Sequence, residues 1–166
     1  MLKTIKKRRS IRQFLDKDIK EEKVEEILKA AMTAPSAHNR RPWRFWLVRD
    51  KEKKEKLAQI QPWASFVAGA PVVLVIGSEE DKHWVENCAV AAALVYLEAT
   101  NQGLGTCWVQ VRGMKTGRGE GSEEGVKKLL GIEENIRILC LMPLGYPSKV
   151  LPEHSGKTEK EKLIEK

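Results

Sequence analysis

The sequence predicts an α+β fold in which a central sheet is sandwiched between helices, as a three-layer α/β/α arrangement. Three observations predict it. Helical and strand-like segments alternate after a first helix, which favours helices packed on a shared sheet. The run at 71–76 is apolar throughout, as expected of a strand covered on both faces. The segment at 84–100 is apolar nearly all round, so other elements or a partner subunit must enclose it.

The first half of the chain contains two helices and two strands. Apolar residues spaced three and four apart predict a helix at about 21–32. Pro35 then ends it, because proline cannot continue the helical hydrogen bonds. Aromatic and β-branched residues predict a strand at 43–48. A charged surface helix with a thin apolar stripe begins at Lys51, and the buried strand at 71–76 follows it.

The second half repeats this alternation and ends in a polar tail. Its segments are, in order, the apolar helix at 84–100, a strand at 105–111, a glycine-rich loop at 113–125, a short helix at 126–130 and a last central strand at 136–142. From Pro147 onward the chain has too few apolar residues to form a core, so we expect the tail to lie on another part of the protein. No repeat and no boundary interrupts residues 1–166, which predicts a single domain.

Composition restricts the class of protein. A hydrophobic content of 42% and a charged content of 32% are typical of a soluble globular chain. The formal charge of +7 favours an anionic partner. The three cysteines are odd in number and widely spaced, which argues against a disulfide framework or a zinc site and favours the reducing cytoplasm. No apolar run reaches the length of a membrane span.

A basic stretch near the start, KKRRSIRQF, is suited to holding an anion. In an extended chain side chains alternate between faces, so Arg8, Ser10 and Arg12 share one side, and Arg9 and Ile11 share the other. Two guanidinium groups beside a hydroxyl suit a phosphate or an acceptor-rich heterocycle. A solvated basic arm that binds nothing is the alternative, and a basic arm that binds nucleic acid is another.

Three stretches, taken together, narrow these possibilities. RRSIRQF at 8–14, APSAHNRRPWRFWLV at 34–48 and GLGTCWVQV at 103–111 occur in this order, with weaker matches in GAPVVLVI from Gly69 and LGYP at 144–147. In this combination nearly the whole chain resembles the FMN-dependent nitroreductase family. The resemblance implies a mostly antiparallel sheet and a homodimer with flavin sites between subunits. The anion would be the FMN phosphate together with the pyrimidine edge of the flavin.

The resemblance also implies the residues of the site. Arg8 and Ser10 would hold the phosphate, Arg9 would add backbone or stem contacts, and Arg12 would face the N1/O2 edge of the flavin. The remaining cofactor contacts would be made by Pro35, Ser36 and Asn39 from the other subunit, by Trp108, Val109 and Gln110 beside the reactive face, and by Lys149 or, preferably, Lys157 at the phosphate.

The function implied is an NAD(P)H-dependent oxidoreductase that passes hydride through flavin N5 to a nitroaromatic, a quinone or a similar small oxidant. No catalytic side chain and no metal are expected, because the cofactor carries the chemistry. Two alternatives remain open at this point. One is a flavin protein of the same fold that performs dehalogenation or cofactor biosynthesis, and the other is a basic nucleic-acid-binding module. Without a dinucleotide-binding fingerprint, the sequence does not choose between NADH and NADPH.

Overall fold

The computed structural model describes residues 1–156, 159 and 162–164. Its helices are α1 (Lys3–Lys7), α2 (Glu21–Met32), α3 (Lys51–Leu57), α4 (Trp84–Asn101) and α5 (Ser122–Leu130), with short 3₁₀ helices at Ala37–Asn39 and Ser65–Gly69. Its strands are β1 (Trp43–Val48), β2 (Val72–Glu79), β3 (Gly105–Thr106), β4 (Val109–Gln110) and β5 (Ile136–Gly145).

The strands form one antiparallel sheet in the order β1–β2–β5, and both β3 and β4 pair with the far edge of β5. Side chains of β2 alternate between two cores: Leu74 and Ile76 pack with α2 and α4, while Val73 and Val75 pack with α3 and α5. Every one of these side chains is fully buried. The predicted three-layer sandwich with an antiparallel central sheet is therefore confirmed.

Helix α1 was not predicted, and β2 and β5 extend beyond their predicted ends, to Glu79 and Gly145. Two further differences from the prediction have clear physical reasons. The strand predicted at 105–111 is split into β3 and β4, because the Trp108 amide donates to the Tyr96 hydroxyl and leaves the strand ladder. Helix α5 begins at Ser122, earlier than predicted. The acidic residues Glu123 and Glu124 lie in its first turn, where carboxylates interact favourably with the helix dipole.

The polar tail lies along the start of the chain, as expected. The Ser148 amide donates to Gln13 O at 3.0 Å, and the His154 amide donates to Lys6 O at 2.9 Å. This brings residues from the two ends of the chain side by side. In the part of the chain that the structure describes, no helix combines the length and the hydropathy needed to cross a bilayer.

Candidate functional site

The basic segment 8–12 is held against β3. Ser10 forms a parallel bridge with Thr106, and the Ile11 amide donates to Thr106 O at 2.9 Å. Ile11 is buried directly over Gly105, where a Cβ atom would come within 2.5 Å of Ile11 Cγ1. Glycine is therefore required at position 105, because only glycine lets the basic segment pack this closely on β3.

Tyr96, in the C-terminal half of α4, connects the basic segment to the strand beside it. Its hydroxyl accepts a hydrogen bond from the Trp108 amide at 2.6 Å and lies 3.3 Å from Ser10 Oγ. The Arg8 guanidinium lies 5.3 Å from the centre of the Tyr96 ring. Burial raises the pKa of Tyr96, so the phenol remains neutral. Arg8 and Ser10 thus share one side of their segment, as the alternation predicted.

Cys107 lies beside this cluster but is not suited to act as a nucleophile. Its side chain is buried, and this burial raises the pKa of the thiol against the opposing influence of Arg12. A protonated thiol is a poor nucleophile, because the thiolate is the reactive form. Cys88 and Cys140 are also buried free thiols whose pKa is raised by burial. Among the described residues, no cluster of side chains could hold a metal ion.

Val109 and Gln110 of β4, and Trp108 just before it, differ in which of their groups a ligand could contact. The Val109 side chain is fully buried in the core under α3 and α5, so only its backbone could contact a ligand. Trp108 and Gln110 are half-buried, and Trp108 Nε1 donates to Gln110 Oε1 at 2.8 Å. Gln110 O in turn accepts from Gln61 Nε2 at 3.3 Å. These contacts position the strand that the sequence predicted beside the reactive face.

The three arginines of the basic segment are available to bind an anion. Among the described residues, no carboxylate lies within 4.0 Å of Arg8, Arg9 or Arg12. Arg9 donates to Pro152 O at 2.9 Å, and Arg12 lies 5.9 Å from the ring centre of Phe66. Guanidinium groups without acidic partners in the described part of the chain, next to the Ser10 hydroxyl, form a donor set that fits a phosphate ester.

The tail adds residues to this site. His154 Nε2 lies 2.8 Å from Arg8 O and 3.1 Å from Arg8 Nη2. Lys149 lines a cavity of about 220 Å³ together with Ser10 and Arg12. Lys157, the residue preferred from sequence, lies outside the described residues. Neither His154 nor Tyr96 was predicted. Tyr96 is one residue within an apolar helix, and no sequence signal marks it.

The turn at 35–41 is anchored elsewhere. Ser36 Oγ accepts from the Arg41 amide at 2.9 Å, and Asn87 Oδ1 accepts from the Ala37 amide at 3.0 Å. His38, Asn39 and Arg41 all adopt a φ of 53°, a left-handed conformation that costs energy in residues with side chains. Pro35 and Asn39 are exposed. This strained turn has the backbone character of a binding loop.

The turn and the Tyr96 cluster are separated within one chain. Tyr96 lies nine residues beyond Asn87 on α4, a rise of about 13 Å. Asn87 Nδ2 and Trp43 Nε1, both close to the turn, are buried and have no hydrogen-bond partner among the described residues. The structure therefore brings together parts of two of the three predicted stretches, 8–14 and 103–111. The turn at the start of the remaining stretch, 34–48, lies beside another part of α4.

The family model "Nitroreductase family" matches residues 5–64 and 60–146. A Methanothermobacter thermautotrophicus protein, provisionally named NADH dehydrogenase/NAD(P)H nitroreductase, is 36% identical over 154 residues, covering 90% of this chain and 78% of the relative. Iodotyrosine deiodinase 1 of Rattus norvegicus is 26% identical, covering 93% of this chain and 65% of the relative.

The fold has a solved counterpart along nearly its whole length. The FMN-dependent nitroreductase of Clostridium difficile R20291 superposes with a TM-score of 0.94 at 31% identity, covering 99% of this chain and 98% of that one. The family match spans the basic segment, the strained turn and β4 together. The chain belongs to the nitroreductase family.

Proposed function

We propose that the protein is an FMN-dependent NAD(P)H oxidoreductase that reduces a small oxidant such as a nitroaromatic or a quinone. The observation that carries the proposal is the cluster at Tyr96, which joins Arg8, Ser10 and the Trp108 amide in a chain of this family. The names of the relatives support both the nicotinamide donor and the flavin.

The residues present fit FMN. Arg8 and Ser10 supply a cation and a hydroxyl for the phosphate, and Arg9 supports them through the stem of its side chain. Arg12, which is exposed and has no acidic partner among the described residues, is available for the electron-rich pyrimidine edge. Lys149 lines a cavity with Ser10 and Arg12 and is a further candidate ligand for the phosphate.

The work of the protein is to bind and to position. When bound, FMN would supply the chemistry, which is the transfer of hydride from the nicotinamide to the oxidant. The Arg12 guanidinium favours negative charge on the pyrimidine edge. The β4 backbone at Val109 and Gln110 is rigid, since Val109 pairs with Leu141 and is buried. Cys107 and Tyr96 stay neutral, so they place no negative charge beside Arg8 and Arg12.

A homodimer with shared sites accounts for the separated turn. We expect Pro35, Ser36 and Asn39 of each chain to complete the site of the partner. Helix α4 is consistent with such an interface, because Val90 on its outer face remains 38% exposed in a single chain. Light scattering should then give twice the 18.8 kDa mass of the chain.

Mixing two variants with weakened FMN binding tests whether the sites are shared. Arg8→Ala removes a contact from one side of a site, and Asn39→Ala removes one from the other side. In shared sites, a mixed dimer contains one intact site and one with both changes, so refolding an equal mixture should restore part of the FMN binding. A mixture that binds no more FMN than the two separate variants contradicts the shared site.

Direct measurement tests the function. We expect the purified protein to be yellow, or to become yellow with FMN, and acid release followed by chromatography should identify FMN and not FAD. NAD(P)H should bleach the flavin without oxygen, and a nitroaromatic or a quinone should restore the colour. A protein that neither carries nor binds flavin overturns the proposal. Colourless protein whose binding to nucleic acid falls steeply with salt favours the basic module instead.

Reductive dehalogenation is a second candidate, supported by the 26% identity with iodotyrosine deiodinase 1 across 93% of the chain. Both functions use the same flavin and differ in the molecule that is reduced. Supplying the reduced protein with iodotyrosine and, separately, with a nitroaromatic distinguishes them. We expect faster reoxidation by the nitroaromatic. Faster reoxidation by iodotyrosine, with release of iodide, favours the second candidate.

A further inference from the structure

A second cavity lies on the α3 and α5 side of the sheet, opposite to α4. Its volume is about 600 Å³, and it opens between α3, α5 and the loop at 116–120. Its wall includes the apolar side chains of Ile60 and Leu129, and its rim includes Lys56, Arg118 and Lys128. An apolar wall with a few charged groups at the rim is typical of sites for small ligands.

The loop at 116–120, at the edge of the cavity, is held in place by backbone hydrogen bonds. The Thr116 amide donates to Glu120 O at 2.7 Å, and the Gly119 amide donates to Thr116 O at 2.9 Å. Gly119 has a φ of 85°, which glycine adopts without strain. Lys115 also forms an antiparallel bridge with Gly121. Arg118 is therefore held at the tip of a defined turn over the cavity.

The charges around the cavity are unbalanced. Among the described residues, Lys56, Arg118 and Lys128 have no carboxylate within 4.0 Å. Glu120 is the one acidic residue of the described lining. Three cations and one carboxylate leave an excess of positive charge at the opening, which attracts an anion that carries more than a single charge.

The cavity adjoins the strand that we propose lies beside the flavin. Ile60, in the cavity wall, accepts a hydrogen bond at its carbonyl from Ser122 Oγ at 2.7 Å. The next residue, Gln61, donates through Nε2 to Ser122 Oγ at 3.0 Å and to Gln110 O at 3.3 Å. One layer of side chains thus separates the cavity from β4.

We propose that this cavity binds the adenosine end of NADPH, with its 2′-phosphate among Lys56, Arg118 and Lys128 and its adenine against Ile60 and Leu129. The inference rests on the proposed function and deepens it by assigning the donor. A phosphate monoester carries about −1.5 to −2 charges at neutral pH, and NADH lacks this group. The cation-lined rim therefore makes NADPH the preferred donor.

Steady-state kinetics with both donors test the assignment. The wild type should show a higher kcat/KM with NADPH than with NADH. Arg118→Gln and Lys128→Gln should each lower kcat/KM with NADPH by about tenfold, the equivalent of one charge-assisted hydrogen bond, and should change kcat/KM with NADH by less than about twofold. Lys53→Gln is the matched control, because Lys53 is exposed on α3 but does not line the cavity.

A binding measurement separates this inference from the proposed function. Adenosine 2′,5′-bisphosphate should bind the wild type in calorimetry and compete with NADPH, and Arg118→Gln should weaken both effects. Flavin that is reduced equally well by NADH and NADPH, with no binding of the bisphosphate, overturns the inference and leaves the oxidoreductase intact. A loss in Lys53→Gln equal to that in Arg118→Gln also overturns it. A protein without flavin overturns the proposed function, while the bisphosphate still reports on the cavity.

Discussion

The Tyr96 hydroxyl offers a sharp test of how the candidate site is assembled. Tyr96→Phe removes one oxygen atom and retains the ring that lies 5.3 Å from the Arg8 guanidinium. The Trp108 amide then loses its acceptor at 2.6 Å, and Ser10 Oγ loses its neighbour at 3.3 Å. We expect the variant to fold with the same core, but with β4 and the basic segment no longer joined through the hydroxyl.

The expected size of the effect follows from these contacts. A buried donor left without a partner costs about 1–3 kcal/mol, whereas the cation–π contact of about 0.5–1 kcal/mol is retained because the ring remains. Because Trp108 is only half-buried, water can reach part of this region, and we expect a loss near the lower limit, about 1–2 kcal/mol. In a chain of this size each kcal/mol lowers Tm by about 2–4 °C.

Urea denaturation of the apo protein measures this loss, and titration with FMN measures its effect on the site. Tyr146→Phe is the matched control, since the chain has two tyrosines and, among the described residues, the Tyr146 hydroxyl has no hydrogen-bond partner. Its ring contacts Lys17 and Lys23 and is retained in phenylalanine. We expect the control to change the free energy of unfolding by less than about 0.5 kcal/mol.

Two results would refute this reasoning. If Tyr96→Phe unfolds at the same urea concentration as Tyr146→Phe, the hydroxyl does not join the two segments. If Tyr96→Phe is destabilised but binds FMN as tightly as the wild type, the hydroxyl stabilises the fold alone. In that case the cluster at Tyr96 is not the phosphate end of the site.

Three further predictions concern the cofactor, the sheet edge and pH. Arg8→Ala should weaken FMN binding by about tenfold or more. Arg12→Ala should instead lower the two-electron potential of the flavin, by about 30 mV for each 1.4 kcal/mol by which the reduced flavin is destabilised relative to the oxidised flavin. The reverse pattern in FMN titration and potentiometry contradicts the assignment. Gly105→Ala should cost about 1–3 kcal/mol and weaken FMN binding, because its Cβ would meet Ile11 at 2.5 Å; unchanged urea and FMN titrations would contradict this. Burial raises the pKa of Cys88 from 9.0 to about 12, so the folded chain keeps a proton that the unfolded chain loses. The contribution of Cys88 to the free energy of unfolding should therefore fall above about pH 9 by up to about 1.4 kcal/mol per pH unit. Urea titrations between about pH 8 and about pH 11 should show a shallower fall in Cys88→Ala.

Local patterns were sufficient to predict most of the architecture. The helix at 21–32 lies where its periodicity placed it, because spacing along a chain determines which side chains share a face. The strand at 43–48 lies where its aromatic and β-branched residues placed it. The strand at 105–111 was predicted as one piece and is two. Its interruption depends on Tyr96, whose contribution no local pattern contains.

The candidate site, too, was predicted only in part from the sequence. From the sequence alone, alternation put Arg8, Ser10 and Arg12 on one side of an extended segment, and three separated stretches indicated the family. Only the tertiary structure brought Tyr96 against Ser10, 86 residues apart, and His154 against Arg8, 146 residues apart. Those contacts arise where α4 and the tail pack on the basic segment. Contacts between residues so far apart produce no periodic pattern in the sequence. Residue types determined which chemistry was available, and the packing of distant segments decided which groups meet.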